Sequence, residues 1–375
     1  MEKVIVLCVD WFYPAIQAGG PINSVKKISE LLADKAKVYV LASNVDLDGS
    51  ALVVETRKWV EFDENIWVRY LTRLEQRPQN LTKIFMSLNL DVLYLNSLFS
   101  FRFSILPLLL SRTFFGGQVI LAPRGMLGDG ALSFKAQKKS LFLKLASSFG
   151  LFKNVRWHAS TIMEQKEIEK FFSGAEIFVA KNIPNVTPKA SLPFISKKAI
   201  QIIFSGRINR KKNIAFAISV LTKMNLDVDV HLTLAGQRED EEYALEIERL
   251  ANKASKVKIE FVGVLDREDL FMKIRESHCF ILPTLHENYG HSIVEAWANS
   301  CPVMISDRTP WKNLKLSGVG WDLPLNEGAW QEAFLELFSL NLIQRGHFSE
   351  RCIGYFQEEV FTERDNDANL ALFDL

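Results

Sequence analysis

Two carboxylates eight residues apart, Glu287 and Glu295, stand on either side of a glycine in Pro283-Thr-Leu-His-Glu-Asn-Tyr-Gly-His-Ser-Ile-Val-Glu-Ala296. The apolar run Phe280–Leu282 before this segment reads as a strand, and Ser292–Asn299 reads as a helix. Gly290 therefore sits at a helix entrance, where a ligand phosphate can approach the N–H groups of His291 and Ser292. Glu295 falls roughly one turn inside the helix, placed to accept hydrogen bonds from vicinal ribose hydroxyls. Glu287 precedes the helix, so the two carboxylates need not share a face. Asn288 and Tyr289 complete the loop between them.

A second segment, Ser205-Gly-Arg-Ile-Asn-Arg-Lys-Lys-Asn213, follows the strand candidate Ile202–Phe204 and runs into a helix. Gly206 lets the chain turn tightly beside a ligand. Arg207 and Lys212 put two cations near a helix start, which suits a diphosphate. Taken alone, the segment is equally a solvated basic turn.

Both segments lie where strands end, so the elements that hold them matter. In the first half the strand candidates are Val4–Val9, Val38–Leu41, Trp67–Leu71, Val92–Leu95, Val119–Ala122 and Ile177–Ala180. In the second half they are Ile202–Phe204, Val230–Ala235, Ile259–Val262, Phe280–Leu282 and Val303–Ile305, with helices at Ile214–Met224, Glu241–Ala254, Arg267–Arg275 and Ser292–Asn299. These runs are apolar with little alternation, as in parallel strands buried on both faces. The stretch from Asn182 to Pro193 holds three prolines and no periodicity, and reads as a linker. The expectation is an α/β protein of two doubly wound Rossmann-like domains facing across a cleft. The first spans 1–190 and the second 195–354, with a C-terminal helix at about 355–375 packing back on the first. Ligands of such sheets bind beyond the carboxyl ends of the strands.

Composition limits the function. The chain has 375 residues and a net charge of +1, so no global field draws nucleic acid. Cys8, Cys279, Cys301 and Cys352 form no CxxC pair and read as reduced core thiols. The N-terminus enters a strand without a signal-peptide pattern, and no uncharged run has the length of a membrane span. A cytoplasmic protein is expected.

The Glu287–Glu295 segment resembles the Glu-x7-Glu signature of glycosyltransferase family 4, whose members have the GT-B fold. Gly206, Arg207 and Lys212 resemble that family's Gly-Arg-Leu-x-x-x-Lys-Gly element, with Asn213 in place of the usual Gly. Asn tolerates a left-handed backbone, so only fine geometry is affected. The resemblance implies retaining transfer of a hexosyl group from a UDP- or GDP-sugar, with no metal or other cofactor. It assigns the diphosphate to Arg207 and Lys212, the ribose to Glu295 and the transferred sugar to Glu287. It also draws Gly19 and Gly20, ahead of a helix begun by Pro21, toward donor and acceptor. Pro123-Arg-Gly-Met-Leu127 resembles a segment of members that build surface polysaccharides, so Arg124 is an acceptor-side candidate. His158 is another, although a structural histidine is the better reading. Asp46 and Asp48 form a DxD pair that the reading assigns to a solvated loop, not to a metal.

The implied acceptor is a glycan or lipid-linked sugar, and the implied pathway is cell-surface polysaccharide synthesis. Between Asp129 and Glu164 there is no acid, while Lys135, Lys138, Lys139, Lys144, Lys153 and Arg156 interleave with Leu141, Phe142, Leu145, Phe149 and Phe152. The stretch 135–156 reads either as a solvated helix on the core or as a peripheral contact with anionic lipid at the inner face of the cell membrane. Rival readings are a GT-B-like sugar-nucleotide epimerase and a non-catalytic partner subunit of a glycosyltransferase complex.

Overall fold

Strands form where β-branched, aromatic and aliphatic residues run without polar interruption, and the central ones are buried on both faces. Val92–Leu95, Cys279–Leu282 and Val303–Ser306 have every residue buried. The computed structural model describes residues 2–15, 17, 19–128, 130, 132, 136–189, 199–252 and 256–375. Two units result, Met1–Asn185 with Glu363–Leu375, and Val186–Thr362.

The first unit holds β1 (Lys3–Cys8), β2 (Ala36–Ser43), β3 (Val60–Asp63), β4 (Ile66–Leu71), β5 (Val92–Leu95), β6 (Gln118–Leu121), β7 (Val155–Ala159) and β8 (Glu176–Val179). Their order across the sheet is β3-β4-β2-β1-β5-β6-β7-β8. Only β3 runs antiparallel, pairing with β4 at the edge. Strands β3 and β7 are absent from the sequence reading. In β3 each apolar residue alternates with an acid, and in β7 Arg156 and His158 interrupt the apolar run.

The second unit holds β9 (Ala199–Ser205), β10 (Asp229–Ala235), β11 (Val257–Gly263), β12 (Cys279–Leu282), β13 (Val303–Ser306) and β14 (Gly320–Leu323). The order β11-β10-β9-β12-β13-β14 is parallel throughout. The sequence reading lacks β14, a four-residue edge strand. This is the doubly wound order, in which the chain reverses direction between its first and fourth strands. That switch point lies between β9 and β12, the two strands that precede the chemical segments. In the first unit the corresponding neighbours are β1 and β5.

The C-terminal segment belongs to the first unit from Glu363 onward. Leu370, Leu372 and Phe373 enter the core around β1 and β2, and Asn369 donates to the Lys181 carbonyl at 2.9 Å. All four cysteines are buried and free. Among the described residues no helix is long and apolar enough to cross a membrane.

Candidate active site

Three loops leave adjacent strands of the second unit and are stitched together by hydrogen bonds. Leu285 N–H and the Thr284 hydroxyl both donate to the Lys211 carbonyl, at 2.9 and 3.1 Å, tying the loop after β12 to the loop after β9. Glu287 N–H donates to the Arg308 carbonyl at 3.0 Å, and the Ser306 hydroxyl to the Thr284 carbonyl at 2.5 Å. These bonds add the loop after β13. Asp307–Leu314, expected from sequence only as a loop near the nucleotide with no residue-level role, is part of this loop. In the structure Trp311 Nε1 donates to the Tyr289 carbonyl at 2.5 Å, and its ring meets both Tyr289 and Trp297.

Within this frame Lys212 Nζ lies 2.6 Å from Glu287 Oε2. Both side chains are largely buried, at 17% and 16% exposure, so the pair is poorly screened by water. Desolvation pushes the Glu287 carboxyl up, but Lys212 and Lys211 outweigh it and hold the pKa below its ordinary value. Glu287 is thus a carboxylate at neutral pH. Asn213, just beyond Lys212, adopts φ 55°, the left-handed conformation the sequence reading allows for it. It precedes helix Ile214–Lys223.

Gly290 has φ 82° and precedes helix His291–Ala298. A Cβ there would sit 2.7 Å from Ile293 Cδ1 and 3.3 Å from Glu287 Cγ. Glycine therefore lets the chain turn from Glu287 straight into the helix. His291 and Ser292 occupy the first turn, at the positive end of the helix dipole. Glu295 lies one turn on and keeps partial contact with solvent. Burial by its surroundings, eased by Arg267, raises its carboxyl to about 7.

Arg207 is not part of the Lys212–Glu287 pair. Its Nη1 lies 2.7 Å from Glu239 Oε1, in the loop after β10. Glu239 also accepts from the Asn209 amide. Backbone bonds hold the two loops in step, with Ile208 N–H donating to the Gln237 carbonyl at 2.8 Å and Gly206 N–H to the Ala235 carbonyl at 2.9 Å. Gly236 lies so close to Gly206 that a Cβ would stand 2.0 Å from its carbonyl oxygen. Glu239, Trp311 and Gly236 join this frame although the sequence points to no site role for them. Their contacts join different loops, which no local pattern announces.

The first unit has its own polar constellation at the carboxyl edge of its sheet. Arg124, at φ 56°, donates to Asn96 Oδ1 at 2.7 Å, to the Tyr94 hydroxyl at 2.6 Å and to Asn182. Tyr94 in turn meets His158 Nδ1 at 2.8 Å, and His158 Nε2 meets the Ala180 carbonyl at 2.9 Å. A carbonyl only accepts, so Nε2 carries the proton and Nδ1 accepts from Tyr94. Burial, reinforced by the Arg124 charge, lowers the His158 pKa to about 3. His158 is 1% exposed with both ring nitrogens engaged, so the acceptor-side assignment is corrected: it braces Tyr94 and Arg124. Glu164, fully buried, accepts from Gly125 N–H at 2.6 Å and Ser160 N–H at 2.8 Å, fixing the same loop. Arg124 itself keeps partial exposure and has donors left over.

Gly19, at φ 68°, leads into helix Gly20–Ala33 with Pro21 in its first turn, in the first unit. Asp48 is held by Ser50 and Gln17, and these bonds lower its pKa to about 2. Asp46 is 6% exposed, which corrects its assignment to a solvated loop, and its carboxylate accepts from Leu47 N–H at 2.7 Å. Among the described residues no group of three or more His, Cys, Asp or Glu is placed to hold a metal.

Residues 190–315 match the family described as glycosyl transferases group 1. That segment lies within the second unit and carries the loops after β9, β12 and β13. No curated protein matches the chain. Among solved structures, sucrose-phosphate synthase (tll1590) from Thermosynechococcus elongatus is similar, with TM-score 0.74 and 16% identity, covering 99% of this chain and 98% of that one. A glycosyltransferase from Rickettsia africae superposes with TM-score 0.70 at 14% identity, covering 100% and 99%. Anabaena Alr3699/HepE, solved in complex with UDP and glucose, gives TM-score 0.70 at 14% identity and full coverage of both chains. At these identities the likeness defines the fold, which is GT-B.

Proposed function

We propose that the chain is a retaining, metal-independent hexosyltransferase that uses a UDP- or GDP-sugar and acts on a glycan or lipid-linked sugar, in the synthesis of cell-surface polysaccharide. The observation that carries this reading is the Lys212–Glu287 pair, 2.6 Å apart, at the switch point of a sheet whose next helix opens at Gly290. Departure of a nucleoside diphosphate builds negative charge on its β-phosphate. Lys212, Arg207 and the first turn of helix His291–Ala298 would stabilise that charge. Glu295 would hold the ribose, and Glu287 would face the sugar. A phosphate oxygen of the leaving group would take the acceptor proton on the same face, so no protein nucleophile is needed. Support for a nucleotide sugar comes from the group 1 match and from the UDP and glucose bound to the Anabaena relative.

A thermal-shift screen with UDP, GDP and their sugars tests this directly, since a ligand that binds the folded state raises its melting temperature. UDP or GDP should stabilise the protein in excess chelator. No shift with any of them, or a shift that requires manganese, would overturn the reading. Conversion of donor alone to another sugar nucleotide would favour an epimerase.

A further inference from the structure

Helix Ala136–Ser148 follows β6, whose loop carries Arg124, and it does not bury all its apolar residues. Leu143 and Ala146 enter the core, whereas Leu141, Leu145 and Phe149 are 59%, 48% and 81% exposed. Spacing of four residues puts these three on one stripe of the helix and its C-terminal turn. Lys138 and Lys144 are exposed on the same helix, and Lys153 just beyond it.

The segment alongside has the same character. Arg112 donates to the Gly150 and Leu151 carbonyls at 2.7 and 2.6 Å, and the Phe99 ring meets that of Phe142, so helix Leu106–Phe114 and the turn before it run beside this helix. Phe101 and Leu109 of that segment are 63% and 43% exposed. From 92 to 163 the sequence holds nine Lys or Arg against one acid, Asp129, although the whole chain carries only +1. A groove of about 660 Å³, floored by Phe152, Trp157 and Phe172, opens beside the end of the helix.

We propose that this face is a docking surface for a bilayer containing anionic lipid. Exposed leucine and phenylalanine set among lysines match an interface that is apolar below and negatively charged above. A nucleic acid would use the lysines but leave the apolar stripe in water. The proposal deepens the lipid-linked acceptor reading above and rests on it only for its purpose, because the surface can be tested without turnover.

The full chain is sedimented with vesicles of phosphatidylcholine alone and with mixed phosphatidylcholine–phosphatidylglycerol vesicles. It should pellet only with the mixed vesicles. Lys138→Ser/Lys144→Ser/Lys153→Ser and Leu141→Ser/Leu145→Ser/Phe149→Ser should each cut the bound fraction about tenfold. All six positions are exposed apart from the core, so the thermal shift with nucleotide should persist in both variants and keep donor binding separate. Equal pelleting with both vesicle types, or binding unchanged in both variants, would overturn the proposal. So would wild-type self-association, without vesicle binding, that the Leu141→Ser/Leu145→Ser/Phe149→Ser variant abolishes, which would assign the face to a second copy.

Discussion

Lys212 Nζ reaches across from the loop after β9 to Glu287 Oε2 in the loop after β12, at 2.6 Å, and the lysine holds Glu287 as a carboxylate although both side chains are largely buried. Glu287→Gln removes a charge that would face the reacting sugar, and kcat should fall by roughly 10²-fold, as when one transition-state contact is lost. Lys212→Ala removes the largest charge that offsets the desolvation of Glu287 and leaves Lys211 as the main remaining one, so the Glu287 pKa should rise. The acid limb of the activity profile should therefore move to higher pH in Lys212→Ala, in addition to a general loss of rate. A pH–rate series on both variants checks this, and an unmoved acid limb in Lys212→Ala would show that the pair does not govern the charge of Glu287.

Glu295 titrates near neutrality for the opposite reason, burial that raises its carboxyl from 4.5 to about 7. A folded-state pKa above the unfolded one means that the native protein holds the extra proton. The associated stability is complete below about 4.5 and is lost as pH rises through about 7. Glu295→Gln should thus gain melting temperature relative to wild type at pH 8 and little at pH 4. Accepting from two vicinal ribose hydroxyls takes both oxygens of an ionised carboxylate, and protonation turns one of them into a donor, so the donor KM of the wild type should rise as pH falls below 7. With glutamine at 295, KM should be high and nearly flat over the same range. Donor titrations at several pH values read both effects, and a wild-type KM independent of pH would separate Glu295 from the ribose.

Gly290 is required by backbone more than by space. Alanine there would press on Ile293 Cδ1, the end of a fully buried side chain, and φ 82° is unfavourable for any L-residue wherever that end moves. The left-handed conformation costs about 1–2 kcal/mol. Gly290→Ala should lower the melting temperature by ~2–8 °C and displace Glu287, whose Cγ lies 3.3 Å from the added methyl. Calorimetry with kinetics checks this, with kcat expected to fall more than stability alone explains.

Local pattern was enough to find most strands and the two chemical loops, because buried parallel strands are continuous apolar runs with glycines and charges at their ends. Ser205–Asn213 and Pro283–Ala296 are legible for that reason. Strand β7 is not, because Arg156 and His158 are polar yet satisfied, one by Glu176 and Asp374, the other by Tyr94 and Ala180. For His158 the sequence favours a structural histidine over an acceptor ligand, but the partners that make it structural lie 64 and 22 residues away and no local pattern names them. Asp46 likewise looks solvated in sequence because the backbone it binds is set by a turn. The pairing of Arg207 with Glu239, 32 residues on, depends on two strands lying side by side.

That last pairing gives Arg207 an anion before any ligand arrives. Glu239 Oε1 is 2.7 Å from Arg207 Nη1, and the two side chains are 43% and 38% exposed. An exposed pair of this kind contributes about 0.2–1 kcal/mol. A diphosphate that recruits Arg207 must first release it from Glu239, so the carboxylate competes with the donor. Removing the competitor should tighten nucleotide binding by the same amount, about 1.4- to 5-fold. Glu239→Gln keeps the size and the contact with Asn209 but removes the charge, whereas Glu239→Ala removes both. If competition is electrostatic, both variants should bind UDP or GDP more tightly, and the gain should shrink as salt is raised. Titration calorimetry at low and high salt measures it. Weaker binding in both variants would assign Glu239 the opposite role, that of holding the Arg207 guanidinium where the diphosphate meets it, and weaker binding in Glu239→Ala alone would assign that role to its contact with Asn209.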